Sequence, residues 1–169
     1  MEIRELTEAD AATYWALRLR ALREDPAAFG STYAESKDRP LAAVAARLRE
    51  MAGADDCILG AFADGALVGI VACVRESGRK NRHLAKIFQM YVAAETRGQG
   101  VGRALMETVI ARSRSREGLE MLTLDVVTTN TVARALYLSL GFTVFGTAPH
   151  ALKEDDGRYL DEDLMALAL

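Results

Sequence analysis

The sequence predicts a single α/β domain built around one mixed β-sheet. The chain has 169 residues, a length that suits one domain. Half of the residues are hydrophobic and 27% are charged, an ordinary globular composition that can bury a core without disulfides. Segments with the periodicity of strands and of helices follow one another without a repeat, a low-complexity stretch or a linker. We therefore expect residues 1–169 to form one domain.

One strand and two helices are predicted for the first third of the chain. Apolar and polar residues alternate at first, and a Thr-x-x-Asp pattern then marks a helix start, which Asp25-Pro26 later terminates. The inner face of this helix is expected to carry Trp15, Leu19 and Leu22. The predicted elements are a strand at 3–6, a helix from 7 to about 23, a loop or a loop with a short turn at 26–39, and a helix at 40–51.

Six strands and two helices are predicted for the remainder. Asp64-Gly65 between two apolar runs is typical of a tight hairpin turn, and Gly141 stands where a left-handed helix C-cap is needed. The segments 83–92, 100–116 and 121–127 form a right-handed parallel crossover if both strands share the sheet. The predicted elements are strands at 57–63, 67–74, 83–92, 121–127, 142–145 and 159–167, helices at 100–116 and 130–140, and a turn-rich connection at 146–158.

Composition excludes several classes of function. The formal net charge of −3 gives no global reason to expect a nucleic acid or an anionic membrane as partner, so an anionic ligand needs local features. Cys57 and Cys73 lie in apolar runs, are expected to be buried, and have no spacing typical of a metal site or a disulfide framework. The N-terminus is too polar for a signal peptide, and no apolar run is as long as a membrane span. We expect a cytoplasmic protein without a metal.

Three glycines at alternate positions, Gly98, Gly100 and Gly102, lie between a predicted strand and a predicted helix. Free N–H groups and the helix dipole make such a turn an anion site, and Arg97 and Arg103 add positive charge. A Walker loop would continue Gly-Lys-Ser/Thr, and a dinucleotide fingerprint would need a glycine in place of Arg103, so both readings fail. Two interpretations of the turn remain: it binds a phosphate, or it is a glycine turn that binds nothing.

Two segments resemble the GNAT acetyltransferase superfamily. Arg97-Gly98-Gln99-Gly100-Val101-Gly102 resembles its Arg/Gln-x-x-Gly-x-Gly/Ala signature, and the segment from Asn130 to Phe142 is similar to its Asn-x-x-Ala-x-x-x-Tyr-x-x-x-Gly-Phe stretch. One predicted helix and one predicted strand separate them, as in the family. The resemblance implies a mixed, largely antiparallel sheet of about seven strands, with a splayed parallel pair at its centre and about four flanking helices.

The resemblance also implies acetyl-CoA as the acetyl donor, lying between the two splayed strands. The main chain of Met90 and Val92 would pair with the pantetheine arm, and the N–H groups of Gln99 to Arg103 would hold the pyrophosphate. Asn130 and Tyr137 are seven residues apart, so they share a helix face about 10 Å apart along the axis. The implied cofactor-binding residues are Met90, Tyr91, Val92, Arg97, Gly98, Gln99, Gly100, Val101, Gly102, Arg103, Asn130, Ala133 and Tyr137.

The implied reaction is direct attack by an amine, with Tyr137 as the acid that protonates the departing thiolate. A core aromatic is the alternative for Tyr137. For the base, Asp125 stands where some family members have a catalytic Glu, although it is equally a hydrogen-bonded carboxylate on the polar side of the sheet. Gln89 would orient a water. Substrate-binding residues are expected to be Phe29, Tyr33, Glu35 and Gln89, with the 146–160 segment nearby; a solvated surface position is the alternative for Glu35.

Three functions remain open. The first is an N-acetyltransferase for a small amine, and the second acetylates a protein N-terminus or lysine. The third, of another class, is a non-catalytic CoA-binding regulatory module. A homodimer is possible, whereas the acceptor, the base and the oligomeric state are not specified by the sequence.

Overall fold

A seven-stranded sheet in the order β1-β2-β3-β4-β5-β7-β6 organises the structure, a computed structural model that describes residues 1–53 and 55–169. Short 3-10 turns lie at Glu8–Asp10, Pro26–Ala28 and Ala94–Thr96. The strands are β1 (Glu2–Glu5), β2 (Cys57–Ala63), β3 (Ala66–Arg75), β4 (Leu84–Val92), β5 (Met121–Val127), β6 (Thr143–Lys153) and β7 (Tyr159–Ala168). The helices are α1 (Ala11–Glu24), α2 (Tyr33–Ser36), α3 (Leu41–Met51), α4 (Val101–Arg114) and α5 (Thr131–Ser139).

The centre of the sheet is a parallel pair that separates. β4 and β5 are parallel, while the other neighbouring strands of the described chain pair antiparallel. The β4–β5 register runs only from Leu84↔Met121 to Lys86↔Thr123. Beyond it, β4 continues to Val92 and β5 to Val127 without pairing with each other. The prediction of a mixed sheet with a splayed central pair is confirmed.

An extra residue in β4 accompanies this separation. Ala72 of β3 pairs with Phe88 and Ile70 with Tyr91, so β4 uses one residue more than β3 over the same step. The inserted segment contains Gln89, whose φ of +56° lies in the left-handed region that non-glycine residues rarely adopt. Such a β-bulge bends its strand and breaks regular pairing. β4 therefore turns away from β5 just after the last paired residues.

Helices cover both faces of the sheet. A Cβ built on Gly69 of β3 would lie 3.0 Å from Leu105 of α4, so α4 packs on that face. A Cβ on Gly102 would approach Leu136 of α5 at 3.4 Å, which puts α5 beside α4. Ile58 of β2, which pairs with Ala72 and points to the opposite face, lines a cavity together with α1 and α3. The α1–α3 face and the α4–α5 face are thus separated by the sheet.

The inner face of α1 differs from the predicted one. Leu22 is buried as predicted, but Trp15 and Leu19 are only half-buried. The buried positions are Ala11, Tyr14, Leu17, Arg18, Ala21 and Leu22. An arginine therefore points inward, and this rotates the buried stripe relative to the one that hydrophobicity alone predicts.

The predicted turn-rich connection at 146–158 was wrong in its first half, because β6 continues unbroken to Lys153. The register of β6 against β7 shifts at Val144/Gly146 and again at Ala148/Leu152. β6 is an edge strand, and Pro149 lies within the second irregularity, where a missing N–H removes no ladder bond. Glycine and proline here mark bulges in a strand rather than its end.

The predicted tight turns are confirmed. Asp64 and Gly65 have φ of +48° and +80°, as a two-residue hairpin between β2 and β3 requires. Gly141 has φ of +93° directly after α5, the left-handed C-terminal cap. The predicted loop at 26–39 contains a 3-10 turn and the one-turn helix α2. No helix among residues 1–53 and 55–169 is long and apolar enough to cross a membrane.

Candidate active site

The glycine loop borders open space at the start of α4. Gly98 and Gly100 have φ of +76° and +83°, and a Cβ built on either would meet nothing within 4 Å. Ala104 donates its N–H to the carbonyl of Gly100 at 3.0 Å, the first main-chain bond of α4. The N–H groups that precede Ala104 at the start of α4 have no acceptor inside the helix. Together with the helix dipole they form a site suited to an anion.

The two arginines of the loop are tied into the protein. Arg97 donates from Nε to the carbonyl of Val92 at 2.9 Å and forms an ion pair with Asp25. Arg103 donates to Ser139 Oγ of α5 at 2.7 Å. Both side chains are 46% exposed, so their charge still reaches the solvent beside the loop. They fix the loop to the end of β4 and to α5 while adding positive potential there.

The loop adjoins the gap between β4 and β5. A Cβ on Gly102 would lie 3.1 Å from Met90 Cε and 3.6 Å from Val92 Cγ2, so glycine lets α4 approach the end of β4 closely. Tyr91 points to the other face, where it is 3% exposed and its hydroxyl donates to Glu24. On the β5 side, the described residues offer no strand partner to β4 beyond Lys86. An extended molecule could therefore pair with the free edge at Met90 to Val92.

Asn130 and Tyr137 belong to α5 and its N-cap, directly after β5, the strand across the gap from β4. Asn130 Oδ1 accepts the N–H of Ala133 at 3.2 Å, so Asn130 is the N-cap of the helix and Ala133 lies in its first turn. Tyr137 is 6% exposed, with its ring 6.1 Å from that of Phe142. Burial raises the pKa of Tyr137 to about 12. The phenol stays protonated at neutral pH, as a proton donor must.

Two carboxylates and a lysine lie together on the sheet face opposite α4. Lys86 of β4 forms an ion pair with Asp125 of β5, whose side chain is 28% exposed. Asp125 pairs with Leu164 and Val127 with Glu162, so Asp125 and Glu162 share this face. Burial raises the pKa of Glu162, the nearby Asp125 raises it further, and Lys86 acts against both. Sequence reasoning missed Glu162 because the β5–β7 register was unknown.

Gln89 lines a cavity of about 90 Å³ between α1, α3 and the sheet. Its Oε1 accepts a hydrogen bond from the Tyr14 hydroxyl at 2.8 Å. Arg18, Arg39 and Arg47 line the same cavity, on the α1–α3 face of the sheet. Sequence reasoning missed all three arginines, because charged residues on amphipathic helices are usually solvated.

The other three predicted acceptor residues lie around this cavity and not in its lining. Phe29 is half-buried, with the guanidinium of Arg18 stacked 4.3 Å from its ring centre. Tyr33 lies under Arg23, 5.2 Å from its guanidinium carbon. Glu35 accepts the Thr32 N–H at 3.0 Å in a helix capping box, and this bond lowers the pKa of its carboxyl. Glu35 thus has a structural partner at an exposed position.

The β6–β7 hairpin approaches the loop that carries Phe29. A Cβ on Gly30 would lie 3.7 Å from Leu152 of β6. At the exposed end of the hairpin, His150 stacks on Tyr159 with ring centres 4.4 Å apart, and Lys153 lies 5.2 Å above the same ring. These residues border the acceptor side and mainly contact one another.

Metal and thiol chemistry find no support in the described residues. Cys57 and Cys73 are buried and free, as expected, and they face each other across β2 and β3. Burial raises the pKa of both thiols, which disfavours the reactive thiolate. Among residues 1–53 and 55–169, no group of three His, Cys, Asp or Glu side chains is arranged to hold a metal ion.

Known proteins share this fold and its motifs. The chain is 40% identical over 74 residues to the 5-NmdU N-acetyltransferase of Pseudomonas phage PaMx11, covering 44% of this chain and 49% of that protein. It is 38% identical over 85 residues to the [Ribosomal protein bS18]-alanine N-acetyltransferase of Escherichia coli strain K12, covering 50% and 55%. The chain thus spans about half the length of these curated relatives.

A solved structure extends the likeness to the whole chain. It is a putative acetyltransferase from Salmonella typhimurium with its cofactor acetyl-CoA, 25% identical, with a TM-score of 0.86, covering 100% of this chain and 94% of that one. The family model described as "Acetyltransferase (GNAT) family" matches residues 6–142, which include the glycine loop, the splayed strands and α5. The chain therefore belongs to the GNAT acetyltransferase family.

Proposed function

We propose that the chain transfers an acetyl group from acetyl-CoA to the primary amine of a small molecule, by direct attack and without an acyl-enzyme. One observation carries the proposal. The glycine loop and the free edge of β4 lie on the α4–α5 side of the sheet at the β4–β5 gap, and a cavity on the α1–α3 side reaches the same strand at Gln89. A donor and an acceptor held on these two sides would meet at the gap.

The donor side suits an extended molecule that ends in a pyrophosphate. The space beside Gly98 and Gly100, empty of protein atoms within 4 Å of a built Cβ, admits phosphate oxygens close to the main-chain N–H groups. The edge of β4 at Met90 and Val92 would pair with the pantetheine amides. Acetyl-CoA would supply the acetyl group as a thioester. The Salmonella relative, solved with acetyl-CoA, supports this assignment.

Transfer forms one C–N bond and breaks one C–S bond, so two protons must be handled. Tyr137 would donate its phenolic proton to the departing sulfur, and its pKa of about 12 keeps that proton in place until then. Asp125 and Glu162 would accept the proton that the amine gives up, directly or through a water oriented by Gln89. The raised pKa of Glu162 makes its carboxylate a stronger base than an ordinary glutamate.

Thiol release from acetyl-CoA tests the proposal directly. The protein is incubated with acetyl-CoA and a panel of amino acids, polyamines and aminated drugs, and the free thiol is measured with a chromogenic reagent. We expect thiol release that depends on at least one small amine, with the acetylated product seen by mass. Binding of acetyl-CoA without thiol release for any acceptor would favour a regulatory module instead.

A protein N-terminus or lysine is the second candidate acceptor, because the Escherichia coli relative is named for a ribosomal protein. A peptide library scored by a mass increase of one acetyl group separates the two candidates. The cavity volume of about 90 Å³ favours a small acceptor. Faster acetylation of peptides than of any small amine would contradict our preference.

A further inference from the structure

We propose that the acceptor carries a carboxylate beside its amine, as an amino acid does, and that Arg18, Arg39 and Arg47 bind this carboxylate. The inference rests on the proposed function, since it names the acceptor class of the same site. It concerns the cavity between α1, α3 and β4, lined by these arginines together with Trp15 and Gln89.

The charge of the cavity is one-sided. Three arginines line it, and no Asp or Glu of the described residues does, although the whole chain has a net charge of −3. None of the three forms an ion pair within residues 1–53 and 55–169. Arg49 is two residues from Arg47, on nearly the opposite side of α3, and pairs with Glu8 at 3.1 Å. The arginines that line the cavity, of which Arg18 is buried, therefore have no counterion among the residues that the structure describes.

Two buried donors in the cavity lack acceptors. Arg18 is 4% exposed, and its Nη1 has no hydrogen-bond partner among the described residues. The indole Nε1 of Trp15 is buried and likewise has no partner there. Buried N–H groups in folded proteins nearly always have a partner, so these two point to a missing acceptor. Both groups only donate, and a ligand that satisfies them must offer oxygen acceptors.

The donors are held in place before any ligand arrives. The guanidinium of Arg18 stacks on the Phe29 ring at 4.3 Å, and Arg39 lies 5.5 Å from the centre of the Trp15 ring. A planar guanidinium and an indole N–H suit a carboxylate, which accepts two parallel bonds from the arginine fork. The stacking lowers the entropy lost when such a ligand binds.

The position of Gln89 links this anion site to transfer. Gln89 is the bulge residue where β4 leaves β5, and it lines the same cavity as the arginines. A molecule whose carboxylate lies at the arginines and whose other end reaches Gln89 brings its amine to the gap. Positive charge nearby also lowers the pKa of that amine, which favours the neutral form that attacks.

Fluorescence of Trp15, the single tryptophan of the chain, tests binding without turnover. The full-length protein is titrated, in the absence of acetyl-CoA, with N-acetyl-L-alanine and with N-acetyl-L-alaninamide, which lacks the carboxylate. We expect a saturable change with the acid and binding at least about ten-fold weaker with the amide, the effect of losing a charged hydrogen bond. Equal responses to both, or no response to either, would overturn the inference.

Variants of the exposed arginines assign the effect to residues. Arg47→Gln and Arg39→Gln should each weaken binding of the acid about ten-fold or more and leave binding of the amide unchanged. Arg49→Gln is the matched control on the same helix, since Arg49 is 68% exposed and pairs with Glu8 outside the cavity. Equal affinity of all three variants for the acid would refute the role of the arginines.

Acceptor kinetics distinguish failure of this inference from failure of the proposed function. If amino acids bind but no amine releases thiol, the anion site stands and the transferase proposal fails. L-alanine and larger amino acids are each compared with an analogue that lacks the carboxylate, such as L-alaninamide or ethylamine for L-alanine. If the analogues are acetylated with a kcat/KM equal to or above that of the amino acids, the transferase stands and the carboxylate inference fails.

Discussion

Replacing Gly100 by alanine separates the cost of backbone strain from the loss of a phosphate site. Gly100 has φ of +83°, and a Cβ there would meet no protein atom within 4 Å. The left-handed conformation costs an alanine about 1–2 kcal/mol, and for a domain of this size each kcal/mol lowers Tm by roughly 2–4 °C. The new methyl group would also occupy space beside the N–H groups at the start of α4. We therefore expect Gly100→Ala to reduce both stability and donor binding.

Gly157 provides a matched control. It has φ of +87°, and a Cβ there also meets nothing within 4 Å, but it lies in the turn between β6 and β7. Gly157→Ala should lower Tm as Gly100→Ala does, by about 2–8 °C. Only Gly100→Ala should raise KM for acetyl-CoA, by about ten- to hundred-fold, as expected when a hydrogen bond to a charged group is lost.

Differential scanning fluorimetry and initial-rate kinetics with varied acetyl-CoA measure the two effects on the same samples. Isothermal titration with CoA gives the affinity independently of turnover. If both variants lose Tm equally and neither changes KM or CoA affinity, the loop is only a structural turn, and the donor side has been placed wrongly.

Two further outcomes follow from groups around the gap, and a third follows from the Arg4–Asp10 pair at the start of α1. Tyr137→Phe should lower kcat by about 10²–10⁴-fold with little change in CoA affinity, and unchanged turnover would remove Tyr137 as the acid. The wild-type kcat should not fall between about pH 7 and about pH 10, because the phenol stays protonated. Burial and Asp125 raise the pKa of Glu162, so Asp125→Asn should move the acidic limb of the kcat/KM profile to lower pH, and Glu162→Gln should abolish that limb. A profile that neither variant changes would exclude this pair as the base. The hydrogen bond from Arg4 lowers the pKa of Asp10 to about 2. The stability that the Asp10 carboxylate contributes is therefore complete above its ordinary pKa of 3.8 and is lost as pH falls through about 2. The Tm difference between wild type and Asp10→Asn should close over that range.

The local geometry of the glycine loop and of α5 was predictable from sequence because its signals are local. Glycines that need positive φ, a helix start directly after them, and an Asn and a Tyr on one helix face are all fixed by neighbours in the chain. The structure has Gly98 and Gly100 at positive φ and Asn130 as the N-cap of α5. The roles of Asn130 and Tyr137 toward acetyl-CoA stay predictions.

The proposed acceptor side depends on contacts between distant segments, which spacing does not reveal. Arg18 lies on α1 and Arg47 on α3, and only the packing of these helices over β2 and β4 brings both into one cavity. An inward arginine also contradicts the hydrophobic pattern used to choose the buried face of α1. Glu162 lies near Asp125 because of the register between β5 and β7. The irregular pairing of β6 with β7 makes that register hard to predict from sequence.

The bulge at Gln89 has a consequence for redesign. Because the proposed donor groups belong to the α4–α5 face and the proposed acceptor groups to the α1–α3 face, the two can be mutated largely independently. Gln89 is the exception, since its backbone opens the strand edge while its side chain lines the cavity. A library aimed at a new acceptor can therefore randomise the exposed positions 39 and 47, but it should hold position 89 constant. Deleting the extra residue of β4 should therefore change the strand edge and the cavity lining in one step.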